Sequence, residues 1–112
     1  ACDYVGIVSA NKVPNKFEKA GFHAVKSEFV DAPLIEELAV TVECRLKSYD
    51  PESCRMVGEI VNISVDERVL DENGKVDVAK AQPITFDPFN NTYVVLGKTV
   101  GRAFHDGMNL KK

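Results

Sequence analysis

The sequence has no tryptophan and only three cysteines. An odd, small cysteine count in a chain without the basic, apolar and small-residue order of an export signal argues against a disulfide framework, so reduced thiols are expected. Cys2, Cys44, Cys54, His23 and His105 form no CxxC or HxxxH pair, which removes any local chelating motif for zinc. Long apolar runs are missing too: none approaches the roughly 18 residues needed to cross a bilayer. Nor is there a surplus of basic charge. With 14 Lys and Arg against 17 Asp and Glu the formal net charge is −3, which disfavours nucleic acid and anionic membrane as partners. A cytosolic, reduced protein is expected.

What is present is a composition of 45% hydrophobic and 28% charged residues over 112 positions, that of one soluble globular domain. The chain opens on ACDYVGIVSA, with apolar positions at helical spacing before any capping residue. This reads as the tail of a helix and suggests a start inside a larger protein. Pro14, Asn15 and Lys16 suit the start of a second helix of about two turns, with Gly21 as its stop after FEKA. Residues 23–38 read as a connector broken at Pro33. It keeps a short helical turn at LIEEL and buried anchors at Val25, Phe29, Leu34 and Leu38.

AVTVECRLKSY alternates cleanly, placing Val40, Val42, Cys44 and Leu46 on one face of a strand and Thr41, Glu43, Arg45 and Lys47 on the other. A turn at DPES followed by CRMVGEIVNISVDERVL makes a long hairpin. If residues 50 to 53 are the turn, paired positions add to about 103. Leu46 then meets Val57, Val42 meets Val61, Val40 meets Ile63, and Cys54 falls opposite Tyr49. Cys44 and Cys54 are then about five residues apart along the pair, roughly 16 Å, beyond the Cα limit near 7 Å for a disulfide. The same register sends Glu59 inward opposite Cys44, which is costly unless a bulge at Gly58 turns it outward or it has a partner.

DENG at 71–74 is a turn signal, and DVAKAQ is a helical turn capped by Asp77 and stopped by Pro83. ITF and TYVVLG are short strands around a DPFNN turn, returning to the sheet, with Phe86, Phe89 and Tyr93 as core or dimer contacts. Thr99 begins a last helix, VGRAFHDG, closed by Gly107. The fold class is mainly β with short helices (α+β), from an antiparallel sheet too thin to close on itself.

Three stretches taken in order, GIVSANKVPNKFEKAGF, GEIVNISVDERVLDENGKVD and TYVVLGKTVGRAFHDG, resemble the C-terminal part of the flavoredoxin and flavin reductase-like family of FMN-binding split barrels. The resemblance covers nearly the whole chain. It implies a six-stranded antiparallel Greek-key split barrel whose N-terminal strands lie outside these residues, acting as a homodimer that holds FMN near the subunit interface. Residues 1–112 would then be a single domain portion of that barrel. The implied activity is that of an FMN-dependent oxidoreductase or electron carrier, with NAD(P)H as a donor or a redox protein as partner. No catalytic acid or base is required, because the flavin supplies the redox chemistry.

The resemblance also gives a function to the polar segment VPNKFEKAGFH. Its family pattern of acid or asparagine, lysine and phenylalanine falls on Asn15, Lys16 and Phe17. Lys16 would receive the FMN phosphate, with Ser9 and Lys12 beside it, and Phe17 would pack the helix onto the barrel. Ala10 and Pro14 depart from the pattern and reshape the loop around Ser9 and Lys12. Phe104 and His105 would line the flavin or nicotinamide site. The competing readings are plain: Lys12 and Lys16 as solvated charges at a helix start, His105 as a last-turn residue favoured by the helix dipole, and the whole chain as a β-rich dimerisation or capping module without a cofactor.

Overall fold

The computed structural model describes residues 1–111. The elements run α1 (Cys2–Ile7), α2 (Lys16–Ala20), β1 (Ala24–Lys26), β2 (Pro33–Ile35), β3 (Val40–Asp50), β4 (Arg55–Val65), α3 (Val78–Ala81), β5 (Ile84–Asp87) and β6 (Thr92–Val95). The fold is mainly β with a few short helices. Three antiparallel two-stranded sheets pair β1 with β2, β3 with β4, and β5 with β6. The chain forms two compact units, Ala1–Arg68 and a second beginning at Val69.

In the first unit α1 matches the opening periodicity. The second helix is shorter than the two turns expected: Pro14 lies before it, and Asn15 takes the N-cap position without a side-chain cap bond. Gly21 ends it at φ 76°, a left-handed conformation that glycine adopts without steric cost. The Gly21 N–H donates to Glu18 O and the Phe22 N–H to Phe17 O, satisfying carbonyls that the helix end would otherwise leave open. Phe17 meets the buried Phe22 edge to face at 6.3 Å across that stop.

Residues 23–38 depart from the expected connector. They form a hairpin in which Lys26 pairs with Pro33 and Ala24 with Ile35. Pro33 fits as the first residue of its strand, where its missing N–H costs no ladder bond. Only one turn remains at LIEEL, closed by Leu38 N–H on Ile35 O. Leu34 is half-buried, whereas Val25, Phe29 and Leu38 are exposed rather than buried anchors.

The long hairpin forms as expected, in a different register. Asp50 pairs with Arg55, so the turn holds four residues, Pro51 to Cys54. Asp50 accepts bonds from the Glu52 N–H and the Ser53 hydroxyl, and Cys54 closes the turn at φ 55°. Paired positions therefore begin at a sum of 105 instead of 103. One bulge leaves Lys47 unpaired and a second leaves Val61 unpaired. The outcome still sorts the faces: Val40 meets Val65, Val42 meets Ile63 and Cys44 meets Ile60, while Thr41 meets Ser64, Glu43 meets Asn62 and Arg45 meets Glu59. Of the alternatives for Glu59, the inward one is not realised. Glu59 lies on the polar face, with Lys47 Nζ at 3.1 Å and Arg45 Nη1 at 3.6 Å. All three thiols are free.

In the second unit Asp71 accepts bonds from the Asn73 and Lys75 N–H groups around the DENG turn. Asp77 caps α3 through the Ala79 and Lys80 N–H groups. Strands β5 and β6 pair with each other alone rather than joining a larger sheet. Phe86 and Tyr93 lie 6.0 Å apart across them, while Phe89 at the turn is almost fully exposed. The last helix is displaced. Residues 96–102 carry no regular element, and a 3-10 helix covers Asp106–Leu110, with Gly107 inside it rather than at its stop. Three glycines, the aromatic Phe104 and two β-branched residues between 97 and 107 give the expected helix little intrinsic support.

Candidate functional site

The turn joining α1 to α2 gathers five of the residues singled out by sequence. The carbonyl of Ser9 accepts the N–H groups of Lys12 and Val13, and its hydroxyl accepts that of Asn11 at 3.3 Å. This serine-centred turn reverses the chain. Lys12 is exposed on it, as is Asn15, while Lys16 and Phe17 are half-buried. The Lys16 Nζ donates to the carbonyls of Val5 and Val8, each at 3.0 Å. A cation on the last carbonyls of a helix satisfies acceptors that α1 leaves open and opposes the negative end of its dipole. An ammonium carries three N–H donors, so one proton of Lys16 is left for a third partner. The Lys16 backbone N–H is already given to Val13 O, so α2, at five residues, adds little of its own to an anion site.

The geometry suits an anionic group to this extent: two lysines and a hydroxyl stand on one short turn, and one ammonium is held in place at two points. Ser27, Glu37 and Glu43, given no site role by sequence reasoning, and His23, weighed there only as a metal ligand, form two further polar clusters of the same unit. His23 Nδ1 is hydrogen-bonded to Glu37 Oε1, and the His23 N–H donates to Glu37 Oε2 at 2.9 Å. The carboxylate raises the His23 pKa, chiefly through the side-chain bond. The Glu37 pKa is lowered, chiefly by the backbone N–H of His23. Glu43 is buried and accepts bonds from Ser27, Asn62 and Ser64. The signal for these pairs was absent because each joins residues more than ten positions apart at places that read as ordinary polar surface.

Phe104 and His105 lie in the second unit, in a cluster of their own. Phe104 is fully exposed at φ 61°. His105 precedes the 3-10 helix and is not in the last turn of a helix, which withdraws the dipole reading. Arg102 Nη2 lies 3.0 Å and Asp106 Oδ1 3.1 Å from His105 Nδ1. One nitrogen cannot accept from a guanidinium and donate to a carboxylate at once, so these contacts are alternatives of tautomer. The Arg102 N–H is the largest cause of a lowered Asp106 pKa, ahead of the bond to His105. Among the described residues no group of His, Cys, Asp and Glu is arranged to hold a metal ion. No helix there is long and apolar enough to cross a membrane.

No protein-family model matches the chain. Over 72 residues, 62% of this chain and 37% of the relative, it is 43% identical to an uncharacterized protein of Aquifex aeolicus (strain VF5). Among solved structures it is similar to the flavoredoxin of Desulfovibrio vulgaris (Miyazaki F), with a TM-score of 0.85 and 33% identity, covering 94% of this chain and 56% of that one. Nitrilotriacetate monooxygenase component B from Bacillus cereus shares the fold at a TM-score of 0.62 and 21% identity, covering 78% of this chain and 47% of its own. The chain thus spans about half the length of the solved structures it matches. Its likeness to flavoredoxin along nearly all of its length supports the flavoredoxin and flavin reductase-like family.

Proposed function

We propose that this chain is part of an FMN-binding oxidoreductase or electron-transfer flavoprotein of the flavoredoxin or NAD(P)H:flavin reductase type. The observation that carries this reading is the likeness to flavoredoxin over 94% of the chain. In this proposal the chain supplies part of a six-stranded Greek-key split barrel, the long β3–β4 hairpin among its strands, completed by strands outside these residues and working as a cytoplasmic homodimer. The phosphate of FMN sits at the α1–α2 turn. Lys16 offers its remaining N–H, Lys12 its ammonium and Ser9 its hydroxyl, while Asn15 lies at the rim and Phe17 fixes α2 through Phe22. Charge-assisted bonds of this kind are short and about twice as strong as neutral ones. Phe104 and His105 border the flavin or nicotinamide. When bound, the isoalloxazine ring supplies the electron-accepting and electron-donating chemistry, and the protein supplies position and field.

The test is anaerobic addition of reduced nicotinamide to the FMN-loaded full-length protein. Bleaching of the flavin absorption at a turnover-competent rate supports the reductase. Bleaching only by a reduced protein partner supports the carrier.

A second reading is a β-rich dimerisation or capping module that binds no cofactor. It is favoured by the exposed apolar row Val40, Val42, Leu46, Ile60 and Ile63 along the long hairpin, and by the engagement of Lys16 with α1. Full-length protein that rejects added FMN supports this module.

A further inference from the structure

Among the described residues only Phe22, Ser27, Glu43 and Val69 are buried, and Ser27 and Glu43 are each just 4% exposed. The most enclosed position on β3 is therefore a carboxylate on a face that alternation assigns to solvent. Its surroundings are all donors. Oε1 accepts the Ser27 hydroxyl, and Oε2 accepts the Asn62 amide and, at 3.5 Å, the Ser64 hydroxyl. The Asn62 amide also reaches Ser64 Oγ at 3.0 Å.

Ser27 is fully subscribed. Its one proton goes to Glu43, and its oxygen accepts the Phe29 and Val30 N–H groups, each at 3.0 Å. Those two amides, with Ser27 N–H on Ala32 O, define the turn between β1 and β2. The chain of bonds thus runs from the long hairpin through one carboxylate into that turn.

Among the described residues no cation balances Glu43. Lys26 and Glu28 flank Ser27 in sequence, and Arg45 on the same face of β3 is matched with Glu59. None of them contributes to the lowered Glu43 pKa, which arises from the Asn62 bond first, then Ser27 and Ser64, against burial.

We infer that Glu43 is a charge-dependent latch: as an anion it holds the 27–32 turn onto the β3–β4 hairpin, and neutralising it releases that turn. A carboxylate offers acceptors only, whereas a protonated acid or an amide brings a donor into a site where Ser27 and Asn62 both donate and only the Ser64 hydroxyl can turn to accept. Rotating the Asn62 amide would supply an acceptor only by giving up its bonds to Glu43 and Ser64. Glutamine can keep an acceptor towards Ser27 only by turning its NH2 onto the Asn62 NH2, so the isosteric change breaks the network on one side or the other. This inference is independent of the flavin reading, because none of its groups belongs to the proposed phosphate site.

The test is residue-resolved hydrogen exchange on the full-length protein. In E43Q, and in S27A, the Phe29 and Val30 amides exchange at least about tenfold faster than in the wild type, while the Asp77-capped amides of α3 keep their rates. In unsubstituted protein the same two amides lose protection, after correction for intrinsic exchange, as pH falls below 4.5, the ordinary glutamate value, before the β3–β4 amides do. Wild-type protection in E43Q overturns the latch. So does loss of the turn and the β3–β4 ladder in a single step on acidification. Should E43Q fail to fold, the acid series on the unsubstituted protein decides between these outcomes.

Discussion

The ammonium of Lys16 sits 3.0 Å from the carbonyl oxygen of Val8, joining the second helix to the end of the first. The same contact that fixes the side chain for an anion also ties down α1. Its removal therefore has two consequences that separate by measurement.

Replacing Lys16 with alanine in the full-length protein is expected to weaken FMN binding by roughly ten- to a hundredfold, the effect of losing one charge-assisted bond of about 1.5 to 3 kcal/mol. Exchange at the Val8 amide, which donates to Tyr4 O, should rise in the same variant without any ligand. Lys12→Ala, at an exposed position, should lower affinity less than about tenfold and leave α1 exchange unchanged. Calorimetric titration with FMN checks both. Equal affinity of the Lys16 variant and the wild type would remove Lys16 from the phosphate site.

Gly58 pairs with Leu46 and lies diagonal to Cys44 across the hairpin, and a Cβ built on it would lie 3.1 Å from the Cys44 Cβ. Gly58→Ala is expected to destabilise by roughly 1 to 3 kcal/mol, as overpacking does. The penalty should shrink when Cys44 is also cut to glycine, which removes the Cβ at 3.1 Å, whereas alanine keeps that atom and removes only the Sγ at 3.8 Å. Urea unfolding of the four proteins of that cycle gives the coupling directly.

Asp77→Ala removes the acceptor for the Ala79 and Lys80 N–H groups, at 2.8 and 3.3 Å. Loss of an N-cap of this kind costs about 1 kcal/mol. With α3 only four residues long, the effect should appear as local fraying, visible as faster exchange at Lys80, Ala81 and Gln82. Lys80 reaches Leu70 O through its Nζ, so the variant should also loosen that contact.

His23 and Glu37 give a pH dependence of defined sign. The histidine pKa is raised from 6.5, so its contribution is complete below that value and fades as pH climbs through the raised one. The glutamate pKa is lowered from 4.5, so its contribution is complete above that value and fades as pH drops through the lowered one. Both are present together between about 4.5 and 6.5. The His23 side chain is 76% exposed, so the effect on global stability is small. The sensitive measurement is an NMR titration of the imidazole: a midpoint above 6.5 in the wild type, returning towards it in Glu37→Gln.

The elements that sequence reveals best here are those fixed by local chemistry. Alternation from Val40 to Tyr49 identifies β3, Asp77 its helix, Asp71 and Gly74 their turn, and Gly21 the stop of α2. Register was not legible, because it depends on whether the turn after Asp50 holds two residues or four. That choice is made by a left-handed Cys54 and by the Glu52 N–H and the Ser53 hydroxyl donating to the Asp50 carboxylate. The 24–35 hairpin was hidden for another reason: Pro33 reads as a breaker, yet it opens a strand. The lysine turn was visible as an unusual cluster, but the use of Lys16 as a bridge to Val5 and Val8 required the path of the chain. Glu43 was least visible of all. It occupies a polar position in a clean alternation, and the Ser27 that covers it lies sixteen residues away.

The measurement closest to the central claim is flavin retention by the full-length protein. Purified with added FMN and passed through gel filtration, it is predicted to keep a visible flavin band at close to one FMN per chain, with saturable binding on titration. Colourless protein that shows no saturable FMN binding would contradict the assignment of this chain to a flavoprotein.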